Sequence, residues 1–232
     1  MNDEQVRTAN QVLTGESWSI DADAPLQAVL DSPGSPPLFR RMLGSLVAWQ
    51  TRNEKEVRRA LTSPRLAPEW VAALLALGAT VTVAGEAGSA EVPLEALLDR
   101  KVTGRVSALH VSSLPARGVE WGEARVARTP ADEPIVLVVA AVETDGGVVR
   151  EARVALTGVW PEPVRLAEAP SQLVGAPLDE ARIRAVAAAV EGEVVPKGDF
   201  RGSEAYRRAM AGVLTRRALE QCLRQEGTHG CG

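Results

Sequence analysis

The sequence predicts an α+β protein, and three observations carry that reading. Three strand-length segments follow one another after Pro115, and two segments of helical period come after them. Before Pro115, short helices and strands are interleaved.

In chain order, Met1 to about Pro37 is polar and rich in turn residues. It holds a short strand at Ser17 to Asp21, a helix at Pro25 to Leu30, and then the breaker run SPGSPP. From Leu38 to Gln50 the chain is apolar with small residues (LFRRMLGSLVAWQ). Pro68 then opens the helix PEWVAALLALGA, since proline suits the first helical position, and Gly78 closes it. The strand TVTVAG follows, then EVPLEALLD as a short edge strand running into a helical turn, then RVSALHVSSL as a further strand. Because Gly78 ends a helix and starts a strand, it is a cap; a dinucleotide cradle has its glycines in the opposite order, after a strand and before a helix.

Beyond Pro115 the segments VEWGEARVAR, PIVLVVAAVET and VVREARVALTGVW form an antiparallel meander, with Asp145-Gly146-Gly147 supplying the hairpin turn. The middle segment is apolar on both faces and is expected to be central and covered, with its neighbours at the edges. Helices at Leu178 to Glu191 and from Ser203 onward pack on this three-stranded sheet. The expected divisions are 1–114, 115–225 and a frayed tail at 226–232.

Composition narrows function by exclusion. The net charge is -4, with arginines scattered among acids, so no basic field for nucleic acid is expected. No apolar run approaches the roughly 20 residues that span a bilayer, and the start MNDEQVRTANQ lacks the pattern of a signal peptide, so a cytoplasmic protein without membrane contact is expected. Cys222 and Cys231 are read as free thiols. His110 falls in a strand and reads as structural, while His229 and Cys231 are too few ligands for a closed metal site. The sequence holds no G-x-S-x-G, C-x-x-C, H-E-x-x-H or P-loop pattern, and no catalytic residue is assigned. Asp132 and Glu133 beside Pro134 read as turn chemistry.

The last helix carries the most specific information. Ser203 is expected as its N-cap, with Glu204 placing negative charge at the positive end of the helix dipole. At about 100° per residue, Tyr206, Met210, Val213 and Arg217 fall on one line. Arg217 is therefore expected either to tie loop carbonyls or a carboxylate such as Asp199, or to pack its stem and extend its head to water. Arg207, Arg208 and Arg216 are expected to face outward.

The run DFRGSEAYRRAMAGVLTRRAL, Asp199 to Leu219, resembles the C-terminal signature of the FAD-binding medium subunits of molybdenum hydroxylases, the xanthine dehydrogenase and carbon monoxide dehydrogenase group. ARVALTGVWPEPVRLAEAPSQLVGAPLDE, Ala152 to Glu180, is similar to the strand, link and helix that precede it in that family, and LLALGATVTVAG with VPLEALL to a segment further upstream. The resemblance implies an FAD subunit that takes electrons from an iron–sulfur small subunit beside a molybdenum-binding large subunit. Its C-terminal module, here 115–225, would support assembly, and 1–114 would be the remnant of the flavin-binding region. It also implies two Gly-rich loops around the flavin pyrophosphate. SWSIDADAPLQAVLDSP, Ser17 to Pro33, is similar to the segment after the first flavin lobe, so no counterpart of that lobe and its loop is expected in this sequence. The second loop, of T-x-G-G-N type, has FRRMLGSLVA as its only candidate, with Gly44 and Ser45 as the phosphate-contacting positions. Three readings stand: a medium-subunit-like component with weakened or lost flavin binding and a mainly assembling role, an active FAD electron-transfer subunit, and an unrelated α+β binding protein.

Overall fold

The structure, a computed structural model, describes residues 17–85, 88–112, 118–129 and 132–229, with side chains up to 224. Two four-stranded sheets divide the strands in chain order. The first contains β1 (Ser17–Asp21), β2 (Thr80–Gly85), β3 (Gly88–Pro93) and β4 (Arg105–Ser112) in the order β1-β4-β2-β3, every pair antiparallel. Alternate residues Trp18, Ile20, Val81 and Val83 are buried, because successive side chains of a strand point to opposite faces. Four short helices connect β1 to the rest: α1 (Leu26–Asp31), α2 (Pro37–Leu46), α3 (Trp49–Glu54) and α4 (Val57–Thr62). Trp18, Phe39 and Trp70 fill their centre edge to face, with ring centroids 5.6 and 6.2 Å apart, and the Trp18 indole N–H donates to Ser32 Oγ at 2.9 Å.

The helix α5 (Pro68–Ala76) is buried on all sides from Glu69 to Ala76. A helix apolar all round must be enclosed, and here the second sheet supplies the other wall. Gly78 ends α5 with φ +68, and the bonds Ala79 N–H to Leu74 O (2.9 Å) and Gly78 N–H to Leu75 O (3.1 Å) form a Schellman cap. Its positive φ favours glycine, and a Cβ there would also have to displace the flexible Arg153 guanidinium. The strand β3 then leads into α6 (Leu94–Leu98).

The second sheet is β5 (Val119–Val126), β6 (Val136–Asp145), β7 (Val148–Thr157) and β8 (Val164–Leu166), in that order and antiparallel throughout. Three strands are expected from the sequence and four are present. The fourth is only three residues long and follows the proline-rich WPEP, so it offers no strand period to read, and its pairing makes β7 internal. Gly146 and Gly147 both have positive φ, 58° and 78°, as a two-residue type I′ hairpin demands. The strand β6 is buried on both faces: Leu137, Val139 and Ala141 pack toward α5, while Val136, Val138, Ala140 and Val142 pack toward α7 (Glu180–Glu193) and α8 (Glu204–His229). Asp179 N-caps α7, accepting from Arg182 N–H at 2.8 Å. The helix α8 continues through His229, so residues 226–229 are helical where a tail is expected, while Cys231 lies outside the described residues.

The helix α8 lies directly on β5. A Cβ on Gly122 would stand 2.1 Å from Ala218 O, so this position must lack a side chain for the helix backbone to come so near. One turn on, the Gln221 amide accepts from Glu123 N–H (3.1 Å) and donates to Glu123 O (2.7 Å), satisfying the open edge of the sheet as a neighbouring strand would. Ser203 Oγ accepts from Tyr206 N–H at 3.2 Å at the start of α8.

The buried face of α8 is one residue out of phase with the sequence-based expectation. Arg207, Ala211, Leu214, Thr215, Ala218 and Cys222 are buried, whereas Arg217 is exposed and Tyr206 is 39% exposed. The internal tie is thus Arg207. Its Nη1 donates to Ile135 O (2.7 Å) and Gly158 O (2.9 Å), its Nη2 to Asp199 Oδ1 (2.7 Å) and its Nε to Gly202 O (3.3 Å). Asp199 Oδ1 also accepts from the N–H groups of Arg201 and Gly202, and these bonds, led by that of Arg207, hold its carboxyl far below the usual carboxylate range. The phase differs because close packing selects the small residues: Ala211, Gly212 and Ala218 let α8 approach the sheet and α7, and small residues give a weak hydrophobic signal.

Two substitutions test this packing. Gly122→Ala forces α8 off β5 and is expected to cost upward of about 2 kcal/mol in urea unfolding, the range of overpacked cores. Arg207→Met leaves two inward carbonyls without donors, at an expected cost of about 2–5 kcal/mol. Arg217→Ala, on the exposed side of the same helix, should remain within about 0.5 kcal/mol of the parent.

Candidate functional site

Gly44 and Ser45 lie near the C-terminal end of α2, on its exposed side, and a Cβ on Gly44 would meet nothing within 4 Å. Within a helix, main-chain N–H groups are committed to carbonyls four residues earlier. A phosphate cradle instead needs N–H groups left open at a turn or a helix N-terminus. The carbonyls at this end are claimed too: Arg52 Nη1 donates to Leu43 O at 3.0 Å and to Gly44 O at 3.3 Å, and also to Val47 O. The expected phosphate contact at Gly44 and Ser45 therefore has no loop to rest on; a glycine followed by a small residue reads equally as a turn or as an exposed helical face. The first turn of α4 is closed in another way, with Val57 N–H bonded to Ala24 O (2.9 Å) and Arg58 N–H to Ala22 O (2.8 Å).

Two clefts remain. The first, open and about 860 Å³, lies at the β2–β3 hairpin, where Val83, Ala84, Gly85 and Gly88 face Val102 and Gly104. Among the described residues its lining carries no charge. Glycine and small apolar residues give it a low surface, suited to a flat apolar group in van der Waals contact and unsuited to holding an ion. The second, about 200 Å³, lies between the start of α5 and the second sheet. Glu69 lies at its edge with only 4% of its surface exposed, and its carboxyl is pushed up to about 7, chiefly by burial. Sequence reasoning missed Glu69, although a lone acid in the first turn of PEWVAALLALGA is a detectable signal once that helix is read as enclosed on all sides.

His110, expected to be structural, has its Nε2 2.8 Å from Thr82 Oγ1 across the β4–β2 pair. Cys222 is buried, with Sγ 3.5 Å from Ala218 O. The side chain of His229 and all of Cys231 lie outside the described residues. Among the described residues no group of His, Cys, Asp or Glu is arranged to hold a metal ion, and no helix is long and apolar enough to cross a membrane.

The geometry can be compared with known proteins. The model of the CO dehydrogenase flavoprotein C-terminal domain matches residues 124–222, the stretch that holds the end of β5, all of β6, β7, β8 and α7, and most of α8. The chain is 25% identical over 191 residues to the glyceraldehyde dehydrogenase medium chain of Sulfolobus acidocaldarius, a match covering 80% of this chain and 67% of the relative. It is 31% identical over 104 residues to the carbon monoxide dehydrogenase medium chain of Hydrogenophaga pseudoflava, covering 45% of this chain and 36% of that one. The match to the corresponding chain of Afipia carboxidovorans, 32% identical, covers 38% of that relative. Aligned sequence thus spans little more than a third of either carbon monoxide dehydrogenase medium chain.

Among solved structures, carbon monoxide dehydrogenase from Hydrogenophaga pseudoflava superposes with a TM-score of 0.77 at 23% identity, covering 94% of this chain and 78% of that one. Quinoline 2-oxidoreductase from Pseudomonas putida 86 gives 0.75 at 21%, covering 93% and 78%. At these identities the likeness shows the fold. With the domain matched at 124–222 and the medium chains that align with it, the reading as an unrelated binding protein falls away: residues 124–222 match the CO dehydrogenase flavoprotein C-terminal domain, and the chain is similar to medium chains of the carbon monoxide dehydrogenase and molybdenum hydroxylase group.

Proposed function

We propose that this chain is a medium-subunit component of a molybdenum hydroxylase complex in which flavin binding is weakened or lost and assembly is the main role. In this reading it works in the cytoplasm, beside a molybdenum-binding large subunit and an iron–sulfur small subunit, and residues 115–225 form the assembling module. One contrast carries the proposal. The C-terminal module keeps its packing, its Arg207 tie and its family match, whereas the glycine-containing candidate for a pyrophosphate loop, Gly44 with Ser45, is part of a helix.

A diphosphate carries negative charge that main-chain N–H groups or cations must meet. At the described positions nearest to that role, the N–H groups of α2 and α4 are committed to carbonyls. The chain's own contribution is then mechanical: a rigid, doubly covered sheet that offers outer helix faces to neighbours.

The cleft at the β2–β3 hairpin favours a second reading, an active FAD subunit passing electrons from iron–sulfur clusters to an acceptor. Its uncharged glycine and alanine lining is compatible with an isoalloxazine ring lying flat, and bound FAD would supply the electron-accepting ring system there. The lining suits the ring of that group, and none of the described lining residues is a cation that could meet its diphosphate.

Both readings are tested on the purified chain and on its complex. Assembly without flavin predicts a colourless protein that does not take up added FAD, together with co-purification of a molybdenum-binding and an iron–sulfur subunit through an affinity tag on this chain. Stoichiometric yellow FAD, retained through gel filtration, overturns the loss of flavin and establishes the second reading. Failure to recover either partner subunit overturns both.

A further inference from the structure

We draw no further inference here: the strongest candidate, the surface patch of exposed Phe200 and Tyr206 at the Asp199–Gly202 turn that opens α8, is an unpartnered apolar face, and nothing in the structure shows what covers it.

Discussion

The strand β6 is apolar on both faces, and that constraint organises the molecule. Its odd-numbered residues Leu137, Val139 and Ala141 belong to one core and its even-numbered residues Val136, Val138, Ala140 and Val142 to another. A sheet whose central strand repels water on both sides must be covered twice. The helices α7 and α8 cover one face. The other is covered by α5, which arrives from the earlier part of the chain and is consequently buried all round. The two sheets are thus joined through a shared helix, and a single hydrophobic cluster runs from Trp18 to Val164 across the division expected at residue 115.

The cost of this layering appears at its polar groups. Where β6 begins and where β7 ends, the carbonyls of Ile135 and Gly158 point inward, and burying them unbonded would cost what their lost water bonds were worth. Arg207 meets both with one nitrogen, and Asp199 in the turn before α8 balances its charge. Gly158, with φ +75, must be glycine for the same reason, since a Cβ there would stand 2.1 Å from Ile135 O and 3.1 Å from the Arg207 guanidinium. The D-F-R-G turn therefore does two jobs: Asp199 anchors the arginine and the turn starts the helix that carries it. A buried ion pair of this kind adds little stability over an apolar substitute, but it fixes one seat for the helix, because no neighbouring register offers the two carbonyls and the carboxylate together.

Much of this was legible in the sequence, and the failures share a cause. The meander, its Gly-Gly hairpin, the cap at Gly78 and the Ser203 start follow from local chemistry, and local chemistry is what a single sequence displays. The phase of α8 does not. Tyr206, Met210 and Val213 outweigh Ala211 and Ala218 in any hydrophobic pattern, yet closeness of approach selects the small residues, and that is a property of the surface opposite. The strand β8 is three residues long and exists because β7 needs a partner. Gly44 and Ser45 are helical where a loop is expected, because glycine beside serine signals a turn only when the flanking residues do not continue a helix, and Met42, Leu43 and Leu46 do continue one. Glu69 was hidden by its neighbours: an acid in a helix's first turn is ordinary until the helix proves to be enclosed.

These differences bear on function through the separate demands of assembly and of flavin binding. Assembly needs a rigid body with fixed outer faces, and rigidity here follows from the doubly covered sheet and the Arg207 tie, neither of which lies at the hairpin cleft. Flavin binding needs open N–H groups at a loop, which is the kind of group that the packing of α2 and α4 has closed, by helical bonding in one and by the carbonyls of Ala22 and Ala24 in the other. Closing those groups stabilises the first sheet, since each N–H satisfied internally is one fewer left to water or to a ligand. In the proposed assembling role, the same bonds that pack α2 and α4 against the rest of the first region leave those positions without open N–H groups for a diphosphate.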